Sequence, residues 1–141
     1  MKKRLFSLIL ALITIGSLSH SALAAELTPY SSPSIDYATA TASTGSKSGE
    51  IKFGYDVSAV NTASTIGVSS IKVYKSDSSY VTTISGSTRN GLLSSNTDRK
   101  RSSYTYTGTS GTSYYAEITF TATVNGVKDS LTVTTNTAKA A

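Results

Sequence analysis

The chain has no cysteine and no tryptophan, and its one histidine is His20. His20 lies in a segment that carries the marks of an export signal. Residues 25–141 therefore contain no imidazole, thiol or indole. Histidine-based triads and thiol nucleophiles are excluded there, and zinc lacks its usual ligands. No Asp-x-Asp-x-Asp-Gly loop exists to hold calcium. No two acidic residues stand in a spacing that signals paired-carboxylate chemistry. Serine and lysine are plentiful enough for a Ser–Lys dyad, but no serine sits in a strained elbow or at a helix N-terminus that would supply an oxyanion hole. The expectation is a protein that is not an enzyme, with no cofactor and no metal. The lack of cysteine also removes any disulfide staple, so stability must come from packing and strand pairing.

What is present begins with the signal itself. Lys2, Lys3 and Arg4 form a basic start, and 5–15 is an apolar run broken only by Ser7 and Thr14. Gly16 and Ser17 end it, and Ala22-Leu23-Ala24 is an A-x-A cleavage site, so the mature chain is expected to start at Ala25. The run is shorter than the roughly 20 residues that span a bilayer. No second apolar stretch follows, and the chain ends in a polar-flanked 137–141 tail. A secreted, extracellular product is expected, with no membrane insertion after cleavage. Three of the cations behind the formal charge of +5 belong to the signal; residues 25–141 carry ten Lys/Arg against eight Asp/Glu, a net of +2. A global electrostatic case for nucleic acid therefore fails. Ser (22) and Thr (21) dominate residues 25–141, while Leu, Ile, Val and Phe total only 20. So apolar a deficit raises disorder, but disorder also wants a high net charge, and nine tyrosines add apolar area.

The patterning is that of strands. Residues 25–33 read as a flexible leader punctuated by Pro29 and Pro33. A first strand fits 34–42, with Ile35 and Tyr37 on one face. Ile51, Phe53, Tyr55 and Val57 alternate with Lys52, Gly54, Asp56 and Ser58, the period of a half-buried strand. Residues 61–65 read as a polar loop. A third strand covers about 69–76 around Ile71 and Val73; Ile66 and Val68 have the opposite parity, which predicts a bulge near Ser69-Ser70. Asp77-Ser78-Ser79 is turn chemistry before a short strand at 80–85. Asn125-Gly126 suits a two-residue type I′ turn. That turn pairs Val124 with Val127, Ala122 with Asp129, Phe120 with Leu131 and Ile118 with Val133, which gathers the large apolar residues on one face. Thr119, Thr121, Thr123, Lys128, Ser130, Thr132 and Thr134 fall on the other. The predicted core is Phe53, Val57, Ile71, Val73, Ile118, Phe120, Leu131 and Val133.

Seven or so short strands without a helical period point to an all-β antiparallel sandwich over 34–136. Gly111-Thr112-Ser113-Tyr114, followed by alternating Ala116, Ile118 and Phe120, resembles the entry to the sixth strand of fibronectin type III domains, within the immunoglobulin-like class. That resemblance implies a tyrosine corner at Tyr114. The 131–135 stretch is similar to the last strand of those domains. The tryptophan usual in their second strand is missing, with Phe53 or Tyr55 available in its place. The Leu-x-Pro that precedes the Gly-Thr is missing as well. The chain also resembles small secreted single-domain proteins of Gram-positive gut bacteria. Neither likeness implies an activity.

Candidate binding residues are sparse. Arg99-Lys100-Arg101 is the densest charge cluster, with Arg89 upstream and Tyr104 and Tyr106 downstream. These six residues are the expected ligand-binding set, suited to an acidic polymer; the alternatives are a solvated loop with Tyr104 or Tyr106 in the core, or a protease-sensitive loop. The stretch 86–101 is long for a sandwich connection. It reads as a binding loop, as a loop whose Leu92 or Leu93 plugs the open end, or as a loop hiding a short strand. Tyr74 should point outward, with Tyr80 and Tyr115, and stack on a sugar or shield a neighbour. The threonine face suits exposed strands, and an ordered-surface ligand would need a flatness that twisted sheets lack. The functional expectation is a non-catalytic binding domain at or near the bacterial surface, its partner a wall polymer, glycan or protein and not nucleic acid. The alternative is a structural subunit that self-associates through strand edges, the first strand foremost, and a small hydrolase is a remote third.

Overall fold

The computed structural model describes residues 33–141; the expected signal, and the leader as far as Ser32, lie outside the described residues. The described chain is all strand and turn. Three strands make one antiparallel sheet in the order β1-β2-β6: β1 Ile35–Thr44, β2 Glu50–Ala63 and β6 Thr97–Thr107. The second sheet runs β4-β3-β7-β8, with β3 Thr65–Lys75, β4 Tyr80–Ser85, β7 Ser113–Val124 and β8 Val127–Thr134. Two short pieces join it: β5 Leu93–Ser94 on β3, and β9 Ala138–Lys139 on β7. The alternating apolar residues of both sheets meet in a single core, as a sandwich requires. Phe53, Val57, Ile71, Val73, Ile118 and Phe120 are all wholly buried, joined by Ile35, Ile51, Ile66, Val68, Leu92 and Tyr114. Among the described residues no helix is long and apolar enough to cross a membrane.

Local rules account for most of the register. Asn125 and Gly126 take φ of 50° and 78°, the left-handed pair that a type I′ turn demands. The hairpin they close pairs Val124 with Val127, Phe120 with Leu131 and Ile118 with Val133. In β3 the register against β7 slips between Val68 and Ser70. That one-residue bulge turns Ile66 and Val68 to the same side as Ile71 and Val73, so both parities end in the core. Gly67 beside it has φ of 141°, and a Cβ there would lie 2.2 Å from the carbonyl oxygen of Leu92; only glycine lets the two backbones come so close.

Three expectations about burial and strand bounds need correction. Leu131 and Val133 are only half-buried, because β8 is an edge strand next to β7 and leaves one flank of each side chain uncovered. Ile35 and Tyr37 do not share a face: a register shift against β2 lies between them, which sends Ile35 inward and leaves Tyr37 41% exposed. Residues 61–65 are not a loop. β2 continues to Ala63, which pairs with Thr97, and β3 starts at Thr65, so the chain changes sheets in one residue. The 86–101 stretch, by contrast, follows two of its three readings: after a turn at 88–91 it hides the short strand β5, and then β6 begins. Leu92 is the plug, 1% exposed, and Asn90 shapes the turn above it by accepting the Ser87 and Leu92 N–H groups and donating to the Ser85 carbonyl.

Two features seal the ends. The Tyr114 hydroxyl accepts the Thr109 N–H at 2.9 Å, which folds the 108–112 turn back onto β7, and Tyr106 packs edge-on against the Tyr114 ring. Of the expected 137–141 tail, residues 138–141 are hydrogen-bonded to the body of the domain. Ala140 bonds to Thr112 and Gly111, while the Ala141 carbonyl accepts the Gly49 N–H at 2.6 Å and its N–H donates to Glu50.

Candidate functional site

The outward side of β1-β2-β6 can be read as three rows. Cα partners across the sheet are Tyr37–Ser58–Arg99, then Thr39–Asp56–Arg101, then Thr41–Gly54–Ser103. Strand alternation sets this face, since the odd residues of β2 between Ile51 and Val57 fill the core and the even ones must face out. Gly54 stands in the middle of the central strand of the sheet. Glycine is a poor strand former, and inside a strand it marks a bulge, a bend or a close approach to the backbone; here the neighbouring group is the Thr41 side chain. Its missing side chain leaves a low floor; a Cβ built there would already lie 2.9 Å from the Thr41 hydroxyl. The result is a hollow of about 420 Å³ lined by Tyr37, Thr39, Thr41, Gly54, Tyr55, Asp56, Arg99, Arg101 and Ser102.

Charge is arranged unevenly around that floor. Asp56 points outward yet is 8% exposed, because Arg99 and Arg101 lie over it. Arg99 grips it as a fork, Nε donating to Oδ1 at 2.9 Å and Nη2 to Oδ2 at 2.5 Å. These paired bonds are the strong, geometrically fixed form of the interaction. They hold the Asp56 carboxyl below its ordinary range, with partial burial opposing, and they raise the Arg99 guanidinium. Arg101 comes only to 3.9 Å of the same carboxylate, and its side chain is 77% exposed. Among the described residues Arg101 makes no hydrogen bond through its guanidinium. Two cations thus share one anion, and one of the two keeps its donors free.

The six residues expected to form a site separate. Arg99 and Arg101 come together in this hollow. Lys100 sits opposite Val57 and so has the inner parity of the sheet, half-buried. Three consecutive cations cannot share a face once they lie in a strand, which is why the triplet does not act as one patch. Tyr104 and Tyr106 pair with Phe53 and Ile51 and pack inward against the core. Arg89 is exposed on the turn between β4 and β5, attached to the other sheet. Tyr37, Gly54 and Asp56 were missing from the expected set. The lone glycine inside an otherwise regular alternation was their signal in the sequence.

The outward side of the second sheet holds the other tyrosines. Tyr74 stacks on Tyr115 with centroids 5.2 Å apart and meets Tyr80 edge-on at 5.9 Å. The Tyr74 hydroxyl donates to Glu117 Oε2 at 3.0 Å, and Tyr80 and Thr83 share a hydrogen bond of the same length. The threonines next to them do likewise: Thr119 bonds Thr132, and Thr121 donates to the Asp129 carbonyl. Among the described residues no group of three or more His, Cys, Asp or Glu side chains comes together. No family model, curated protein or solved structure matches this chain.

Proposed function

We propose that this chain is a secreted, non-catalytic binding domain that works at or near a bacterial cell surface and holds an anionic ligand, such as an acidic wall polymer, in the hollow of the β1-β2-β6 sheet. One observation carries the reading: a glycine floor beside an arginine, Arg101, that is held in place on a paired strand with its hydrogen-bond donors unused. The neighbouring Arg99–Asp56 fork fixes one wall, so the side-chain order to be gained when a ligand arrives is confined to Arg101 and Tyr37. Secretion is supported by the basic, apolar and A-x-A regions of residues 1–24. A fibronectin III-like classification is supported by two details: the β1-β2-β6 sheet packed on β4-β3-β7-β8, and the Tyr114 hydroxyl bonded back across its turn. Self-association through β1 is the less favoured reading, because Asn136 brackets the free edge of that strand, accepting the Ala42 N–H and donating to the Ala42 carbonyl, both at 2.8 Å.

The test is co-sedimentation with isolated Gram-positive cell walls over a salt series. The bound fraction should fall between low and physiological ionic strength, and Arg101→Ala should lower it at every salt concentration while leaving the circular dichroism spectrum unchanged. Binding that ignores both salt and Arg101→Ala would reject the reading. Size exclusion at several concentrations addresses the structural alternative; a persistent monomer counts against it.

A further inference from the structure

We infer that the hollow is built for an acidic oligosaccharide bearing carboxylates, with a pyranose ring laid on Tyr37 and a uronic-acid carboxylate held by Arg101. This rests on the anion-binding reading above and narrows it to a ligand class. The row pattern gives the geometry. Tyr37 lies on β1 and Arg101 on β6, on either side of β2 and one row apart. With strands about 4.8 Å apart and alternate residues about 6.8 Å along, their Cα atoms stand on the order of 12 Å from each other. That is the span of a disaccharide unit, and too long for a single small acid to touch both ends. A volume of about 420 Å³ has room for such a unit.

The chemistry of the lining matches in kind. Tyr37 is 41% exposed, and an aromatic ring with a polar tip suits the C–H face of a sugar. Thr39 and Thr41 offer hydroxyls that both donate and accept, as sugar hydroxyls do. Gly54, one row beyond Arg101, leaves room for the second ring of the disaccharide, the one that carries the carboxylate, to lie against the backbone. The free planar fork of Arg101 fits a carboxylate edge-on. The local excess of one positive charge is balanced by one carboxylate. A polyphosphate or polyol phosphate chain would answer the arginines but has no ring for Tyr37 and would bring more charge than the hollow balances. A nucleic acid has rings, but the net of +2 over residues 25–141 gives it little to hold.

Isothermal titration of the purified mature chain with three probes tests this: a galacturonate hexamer, the same hexamer fully methyl-esterified, and inorganic polyphosphate of similar charge; a hyaluronan hexamer adds a second uronate stereochemistry. At least one free-acid oligosaccharide should bind. Tyr37→Ala and Arg101→Ala should each weaken it tenfold or more, and the methyl ester should lose as much. Gly54→Val in a Thr41→Ala background, which removes the hydroxyl 2.9 Å from the new Cβ, should block binding relative to Thr41→Ala alone, with the fold intact by circular dichroism. If polyphosphate binds as tightly as the acidic sugars and Tyr37→Ala changes nothing, the sugar inference is overturned while anion binding stands. If no probe binds and wall binding ignores salt, both fall.

Discussion

The two outward faces of this sandwich are made from nearly the same residue types, and they behave differently. On the β4-β3-β7-β8 side, polar groups satisfy one another: Tyr74 with Glu117, Tyr80 with Thr83, Thr119 with Thr132. Tyr74 and Tyr115 stack, and Tyr80 meets Tyr74 edge-on while keeping 60% of its surface exposed. On the β1-β2-β6 side a glycine opens the surface, one ion pair locks, and Arg101 and Tyr37 are left facing solvent. Tyrosine, threonine and charge on an exposed strand therefore say little by themselves. The difference between a surface and a site lies in which donors and rings are left without a neighbour after folding.

The largest effect should come from what both faces share. Phe120 is wholly buried between them, and Phe120→Ala should destabilise the domain by about 3–5 kcal/mol, read by urea unfolding, with both faces lost together. Next in size is the lock on the open face. Asp56→Ala should cost about 1–2 kcal/mol, the scale of a hydrogen-bonded charge pair reduced for the partial exposure of Arg99; a cost under about 0.5 kcal/mol would mean that the fork is an ordinary surface ion pair. The same residue predicts a pH effect. Its folded pKa is depressed, so its contribution is complete above the unfolded value of about 3.9 and is lost as pH falls through the folded pKa. The stability gap between wild type and Asp56→Ala should accordingly be full at pH 6 and shrink below pH 4. Smallest of all, Thr119→Val and Tyr80→Ala on the closed face should each stay within about 1 kcal/mol and leave cell-wall binding unchanged. A loss of binding there would move the site to the other sheet.

How far the sequence foretold this depends on the range of the rule involved. The final hairpin was legible in full, because Asn125-Gly126 and the apolar period act within a few residues of each other. The bulge at Ser69 was legible from a parity conflict alone. The burial of Leu131 and Val133 was overstated because parity identifies a face but not whether its strand lies at an edge. The site was the least legible part. Arg99 and Arg101 stood out as charge, but Asp56 is 43 positions away from Arg99, and nothing local says that β2 and β6 are neighbours. Tyr37 was given the same face as Ile35 because a bulge one residue before it leaves no mark in so polar a strand. Tyr104 and Tyr106 looked available only while 97–107 was not seen as one paired strand.

The 138–141 segment has a consequence in time as well as in space. It joins the turn before β7 to the turn between β1 and β2, where its partner Gly49 lies early in the described chain. Contacts across so long a stretch close late, after the sheets they fasten have formed. A contact made after the rate-limiting step does little for the speed of folding and a great deal for the lifetime of the folded state. Removing 138–141 should leave the refolding rate nearly unchanged and speed unfolding, as stopped-flow measurements on both arms of the chevron would read. For a protein without a disulfide, those few backbone bonds act as a delay on opening, and persistence of the folded domain would be governed by how slowly this one seam comes apart.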